Sequence, residues 1–279
     1  MQNSSSSLSL SVIVPAFNEE STIVDILQKI CHLKNLKEVI VIDDGSTDST
    51  PQLVEKLELP KVRLVKQKKN AGKTAAVRRG LQEVTGDITI IQDADLEYDP
   101  NEIEDVIRPI IDNKADIVYG SRFLVKRAAR VLYFYHYLAN KSFTFLSNLL
   151  TNVNMTDIET CYKAFRTPLI KSLPLTSSGF GMEVEITALI TKTKARIYEV
   201  PISYYGRTYS EGKKIKFLDG VAACLYIIYY NFASYISPSI RKYIKEVNDF
   251  LDMLRKDSIK NYEFRDKFKS YDFHSEAKT

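Results

Sequence analysis

Two aspartates separated by one residue, Asp93 and Asp95, lie in Gln92-Asp93-Ala94-Asp95-Leu96-Glu97, directly after an apolar run. Carboxylates so spaced just past a strand can both reach one divalent cation. A cation held there can bridge the oxygens of a nucleoside diphosphate and stabilise the charge it gains as a leaving group. Glu97, two residues on, offers a third oxygen ligand. Taken alone, the same spacing also describes an ordinary solvated turn. In a second cluster, Asp43-Asp44-Gly45-Ser46-Thr47-Asp48, the acids can accept hydrogen bonds from a base edge and ribose hydroxyls, and Gly45 permits a tight turn. Capping of the next helix is the plainer use of that segment. In Asn70-Ala71-Gly72-Lys73, helix-start N–H groups and a lysine can approach an anion, or merely close a capped loop.

Hydrophobic periodicity supplies the elements that must position these residues. Short β-branched runs at 10–15, 39–42, 62–65, 87–91 and 116–119 predict buried strands. Helical spacing covers 19–33, 72–84 and 100–112, and a further helix is capped near Asp48 or Ser49 with Pro51 in its first turn. Such β-α alternation predicts an α/β fold: a mostly parallel sheet flanked by helices, with ligands at the carboxyl ends of the strands. The polar clusters 16–19, 43–48 and 92–97 fall at those ends.

The second half reads differently. Residues 122–130 are basic and loop-like, 131–150 helical and aromatic, and 157–166 extended and returning to the sheet. A helix is expected at 181–192 and a strand at 196–205. The segment 213–216 is basic and 221–237 strongly apolar. From Ser239 a charged segment reads as a solvated helix, an oligomer contact or disorder. The expected organisation is a disordered lead-in (1–9), one catalytic domain (10–215) and a C-terminal helical, membrane-proximal segment (216–279).

Composition narrows the classes. The chain has 279 residues, 44% of them hydrophobic, and a net charge of +4, too mild to predict nucleic-acid binding over the whole surface. Cys31, Cys161 and Cys224 are odd in number and form no CxxC pair, which predicts reduced, mostly buried thiols and a cytoplasmic setting. His32, His136 and His274 are too scattered for a metal site. The serine-rich start has neither a basic nor an apolar signal region, so neither leader nor anchor is expected there.

In order, Val12-Ile13-Val14-Pro15-Ala16-Phe17-Asn18-Glu19-Glu20, Val41-Ile42-Asp43-Asp44-Gly45-Ser46-Thr47-Asp48, Asn70-Ala71-Gly72-Lys73 and Gln92-Asp93-Ala94-Asp95 resemble the inverting glycosyltransferases of family 2, which have a GT-A fold. Tyr119-Gly120-Ser121-Arg122-Phe123, Asp157-Ile158-Glu159-Thr160-Cys161-Tyr162-Lys163-Ala164-Phe165-Arg166, Gly179-Phe180-Gly181-Met182-Glu183-Val184-Glu185-Ile186 and Gly206-Arg207-Thr208-Tyr209 resemble the dolichol-phosphate mannose synthase and polyprenyl-phosphate glucosyltransferase branch. The resemblance spans residues 10–230. It implies that Pro15, Ala16, Glu19 and Asp44 line a nucleoside pocket, and that Asn18, Asp43, Gly72, Lys73, Asp93 and Ala94 also serve the nucleotide. It implies Mg²⁺ or Mn²⁺ on Asp93 and Asp95, with Glu97 where the synthases often have glutamine. Arg122 and Arg207 stand where the family places arginines facing phosphates. Asp95, Arg122 and Arg207 are thus the catalytic candidates, and Arg207 suits the acceptor phosphate because a guanidinium can bind it bidentately.

The implied partners are a nucleotide-sugar donor, a polyprenyl or dolichyl phosphate and a membrane surface. The implied location is peripheral, on the cytoplasmic face of a membrane. Lys126, Arg127 and Arg130 before the aromatic run suit an interfacial element, although a core helix fits that run equally. The 17 residues of 221–237 are short and tyrosine-rich for a span, so none is expected. A glycan hydroxyl is the alternative acceptor. It would need a base, for which Glu183 and Glu185 are available, although orienting cations is the simpler role for both. A sugar nucleotidyltransferase is disfavoured because the first strand leads into Pro-Ala-Phe-Asn-Glu rather than a glycine-rich phosphate loop. A non-catalytic subunit is disfavoured by the intact Asp93, Asp95 and Arg207.

Overall fold

Val12, Ile13 and Val14 have no exposed surface, so β1 (Leu10–Ala16) is buried on both faces, as a run of β-branched residues requires in a covered sheet. A computed structural model of the protein describes residues 8–124, 133–178, 181–206 and 217–260. The chain continues through α1 (Ile23–Cys31), β2 (Leu36–Asp43), α2 (Thr50–Lys56), β3 (Val62–Lys66), α3 (Lys73–Glu83) and β4 (Ile88–Ile91). A 3-10 turn at Pro100–Glu102 leads into α4 (Ile103–Ile111) and β5 (Ile117–Ser121). Then follow α5 (Phe134–Thr151), β6 (Lys163–Arg166), α6 (Thr167–Lys171), α7 (Met182–Ile190), β7 (Ile197–Pro201), α8 (Phe217–Ile236) and α9 (Pro238–Lys260).

Among the described residues seven strands form one sheet in the order β3-β2-β1-β4-β6-β5-β7. The chain winds outward from β1 through β2 to β3, then returns to place β4 on the other side of β1. That reversal opens a crevice at the carboxyl ends of β1 and β4, where open α/β sheets bind ligands. Packing around it is close. A Cβ added to Gly80 of α3 would lie 2.6 Å from the Ile13 side chain, so only glycine lets this helix sit so near β1.

The sheet is mostly parallel as expected, but β6 runs antiparallel to both β4 and β5. Only Lys163–Arg166 of the segment 157–166 is a strand; residues 157–162 are irregular. Because β6 is reversed, the residues before it arrive at the carboxyl ends of β4 and β5, beside the crevice. Strand β7 is also shorter than the expected 196–205, ending at Pro201.

The charged C-terminal segment is a helix over Pro238–Lys260, and it is not solvated all round. Ile240, Tyr243, Val247, Phe250, Leu251 and Leu254 form a buried stripe at i, i+3, i+4 and i+7 spacing and belong to the main hydrophobic core. Mixed charge hid that stripe. Residues 1–7 of the expected lead-in (1–9), the basic residues Lys126, Arg127 and Arg130, the 213–216 segment and residues 261–279 lie outside the described residues. So does the expected domain boundary at 215. Ser9, by contrast, donates to Asp87 from both its N–H and its hydroxyl.

Candidate active site

The first loop of the crevice is built on Asp44, which ends almost wholly buried behind β2. Its Oδ1 accepts from the Ala71 N–H (2.9 Å) and Gln67 Nε2 (2.8 Å), and its Oδ2 accepts from the Gly72 N–H (2.8 Å). Asp44 therefore ties the loop after β2 to the loop before α3. Gly45 makes the contact possible. Its φ is +74°, and an added Cβ would come within 2.8 Å of the Lys69 backbone. Asp43 accepts from the Ser46 N–H, Asn18 accepts from the Thr47 N–H, and Glu19 accepts from the Thr22 hydroxyl. Asp43, Asn18 and Glu19 thus act first as local braces. Pro15 and Ala16 close β1 beside them, and Phe17 is exposed at the same edge. Ser49 precedes α2 without a side-chain cap; Asp48 accepts from the Thr50 N–H in its place.

Asp93 and Asp95 leave β4 on the other wall of the crevice. Asp93 does not stand alone. The Lys73 ammonium, from the first turn of α3, lies 2.7 Å from its Oδ1 and 3.0 Å from its Oδ2. The same ammonium is 3.5 Å from Glu183 at the start of α7. Burial works against the charge on Lys73, but Asp93 and Glu183 hold its pKa well above the ordinary lysine value. Ala94, between the two acids, is buried and turns the chain. Asp95 accepts from the Glu97 N–H, and Glu97 accepts from the Tyr204 hydroxyl at 2.9 Å. The Tyr205 N–H also donates to the Glu97 carbonyl (2.9 Å), joining the segment that leads to Arg207 to the Asp93–Glu97 loop.

Among the described residues, no three His, Cys, Asp or Glu side chains converge on one cation position. The donors present still fit Mg²⁺ or Mn²⁺. Asp93 already holds a cationic group, two carboxylate oxygens are the hard ligands those ions prefer, and such ions take their other ligands from phosphate and water.

Arg122 proves to be firmly engaged. Its Nε and Nη2 meet the Asp157 carboxylate at 2.7 and 2.8 Å, Nη2 also reaches Asn140, and its guanidinium stacks 5.2 Å from the Tyr204 ring centre. Its fork is thus spent on a fully buried aspartate. Arg207 lies outside the described residues. Among the described residues Glu185 pairs with no cation: it accepts from the Thr176 and Ser177 N–H groups and caps that loop. Glu183, by contrast, faces Lys73 as the simpler expectation had it.

Motif and spacing alone give Glu159 and Lys163 no role. Both come to this site through the reversed β6. Glu159 Oε1 is buried and has no hydrogen-bond partner among the described residues. Burial and the neighbouring Glu183 push its carboxyl up to about 8, against Lys163 and Arg122. Burial lowers Lys163, whose ammonium donates to the Thr160 carbonyl and lies 4.9 Å from the Tyr119 ring centre. A lysine and a glutamate four residues apart at the edge of an apolar strand were the available signal. Of the cysteines, only Cys161 is fully buried, while Cys31 and Cys224 are partly exposed; all three are free.

Three comparisons place the chain among known proteins. A family model described as "Glycosyl transferase family 2" matches residues 11–173. The dolichyl-phosphate beta-glucosyltransferase of Dictyostelium discoideum is 32% identical over 231 residues, covering 74% of this chain and 68% of that protein. The dolichol-phosphate mannosyltransferase of Pyrococcus furiosus is 29% identical over 211 residues, covering 74% of this chain but only 59% of its own length. Among solved structures, the glucosyl-3-phosphoglycerate synthase of Mycobacterium tuberculosis superposes with a TM-score of 0.63 at 21% identity, over 81% of this chain and 80% of that one. That likeness supports the GT-A fold. On the family match over more than half of its length, the chain belongs to glycosyltransferase family 2 and is a glycosyltransferase.

Proposed function

We propose that the protein transfers a hexose, with inversion, from a UDP- or GDP-linked donor to a polyprenyl or dolichyl phosphate at the cytoplasmic face of a membrane, using Mg²⁺ or Mn²⁺. The observation that carries the donor half is the pairing of Lys73 with Asp93, two residues before Asp95, in the β1–β4 crevice beside the loops laced by Asp44. A divalent ion on Asp93 and Asp95 would neutralise diphosphate oxygens and favour departure of the nucleoside diphosphate. Lys73 and the N–H groups opening α3 add positive potential on the same side. The two curated relatives, named for dolichyl and dolichol phosphate, support the lipid acceptor.

With a phosphate acceptor, one phosphate oxygen attacks the anomeric carbon as the bond from that carbon to the diphosphate oxygen breaks. The second pKa of a phosphate monoester is ~6, so the nucleophile is already ionised and no general base is needed. That is consistent with Glu183 being engaged by Lys73 and Glu185 by a loop. The protein's contribution is positioning and charge. Arg207 is assigned the acceptor phosphate. Arg122, fixed by Asp157 and stacked on Tyr204, keeps a positive charge beside the segment that leads to it.

The membrane half rests on α5 and α8, which pack against each other. Phe145 and Leu149 of α5, with Leu225, Tyr229, Phe232 and Ile236 of α8, are exposed, the last four at i, i+4, i+7 and i+11. A face of this kind suits the headgroup boundary. No helix among the described residues is long and apolar enough to cross a membrane.

The deciding experiment supplies labelled UDP-glucose, GDP-mannose or UDP-N-acetylglucosamine with Mn²⁺ and offers dolichyl phosphate or a glycan as acceptor. Label should enter the lipid phosphate, and flotation should carry the protein with anionic liposomes. Transfer to the glycan alone, with dolichyl phosphate untouched, would replace this acceptor with a hydroxyl.

A further inference from the structure

Lys73 is an odd choice for its position. It opens α3, where the helix dipole favours anions, and the first turn of that helix contains no acidic residue to hold it. It is instead held across the crevice, on both oxygens of Asp93 at 2.7 and 3.0 Å and 3.5 Å from Glu183. Gly72, at φ +88°, sets the turn that delivers it, and the Gly72 N–H is fixed by Asp44. An ammonium in that place covers the oxygens that a divalent ion would use. Lys73 and the metal are therefore competitors for one carboxylate.

We propose that Lys73 is a placeholder cation that keeps the metal weakly bound until a nucleoside diphosphate draws the ammonium off Asp93, so that metal and donor binding are coupled through this one side chain. The inference rests on the reading of Asp93 and Asp95 as cation ligands, and it adds a binding order to that reading. The physics is a charge balance. Asp93 and Glu183 share one ammonium; a divalent ion added beside it meets repulsion from Lys73 at close range as well as blocked oxygens. A diphosphate offers Lys73 more negative charge than Asp93 does and supplies ligands to the metal. Each ligand thereby tightens the other by the same factor, as linkage requires. Glu183 has a stated part in this: it is the second anion that keeps the ammonium over the crevice floor.

The test measures Mn²⁺ binding by electron paramagnetic resonance of the free ion, for the wild type, Lys73→Met, Lys73→Gln and Lys73→Arg, alone and with UDP or GDP. Mn²⁺ alone should bind Lys73→Met or Lys73→Gln on the order of tenfold more tightly than the wild type, while Lys73→Arg stays weak because it keeps the charge. The factor by which the diphosphate tightens Mn²⁺ should shrink in the two neutral variants. Either neutral variant suffices, its melting temperature and circular dichroism showing that it is folded. Equal Mn²⁺ affinity in wild type and neutral variants, or an undiminished diphosphate effect, overturns the placeholder role. If wild type and an Asp93→Asn/Asp95→Asn variant bind Mn²⁺ alike even with UDP and GDP, the metal site itself is lost, and the placeholder with it.

Discussion

Two clusters of charge stand at opposite ends of the sheet and are built on opposite plans. At the amino end of β5, the fully buried Asp116 receives Arg166 at 3.1 Å, Arg196 at 2.9 Å and Arg255 at 3.5 Å, and Asn113 binds two of the same guanidiniums. Burial alone would raise the Asp116 pKa, but Arg196 and Arg166 bring it below the usual carboxylate value. This knot ties β5, β6, β7 and α9 together. At the carboxyl end, one lysine serves both Asp93 and Glu183, Glu159 keeps a buried oxygen with no hydrogen-bond partner among the described residues, and Lys163 is lowered by burial. Cations are in surplus where the structure is tied together and shared where chemistry is proposed. Charge under-compensated in a crevice is free to be satisfied by a ligand.

That contrast can be broken from either side. The largest effect is expected from Asp93→Ala combined with Asp95→Ala, which should reduce transfer by about 10³-fold with little change in melting temperature. Retention of full metal-dependent activity would overturn the assignment of this end. Asp116→Ala should do the reverse. It leaves three arginines without their shared carboxylate and should cost about 3–5 kcal/mol, a fall in Tm of roughly 10 °C, with turnover per folded molecule unchanged.

A smaller effect separates the two ends by the sign of their pH dependence. The lowered carboxyl of Asp116 stabilises the fold fully above its unfolded value of about 3.9, and this is lost as pH falls through its lower native value. Glu159 has the opposite sign. Between an unfolded value of about 4.3 and a native value of about 8, the folded protein keeps a proton that the unfolded chain has released, so stability falls as pH rises. The groups facing it are Glu183, Lys163, Arg122 and Asp157. Glu159→Gln should flatten the stability profile between pH 5 and 8 and leave the acid limb unchanged, while Asp116→Asn should flatten only the acid limb. Urea unfolding across pH reads both.

The first half of the chain was legible because its signals are local. Apolar runs stopped by Pro15, Asp43 and Gln92 mark strands, and a parallel sheet puts all their carboxyl ends on one side, so the clusters 16–19, 43–48 and 92–97 had to meet. The order of those motifs also sufficed to indicate the family. What sequence spacing could not determine was the direction of β6, since a strand of four residues carries no sign of which way it runs. Its antiparallel pairing brings Asp157, Glu159 and Lys163 to the crevice and lets Asp157 take up Arg122. Nor could spacing show that Lys73 and Asp93, twenty residues apart, would share their charge, or that a mixed-charge helix would bury its stripe in the main core and reach Asp116 with Arg255. Local pattern determines which residues form an element and which face is apolar. Only packing of the whole chain decides which charges are brought within a few ångströms, and there the strength of their interaction is set.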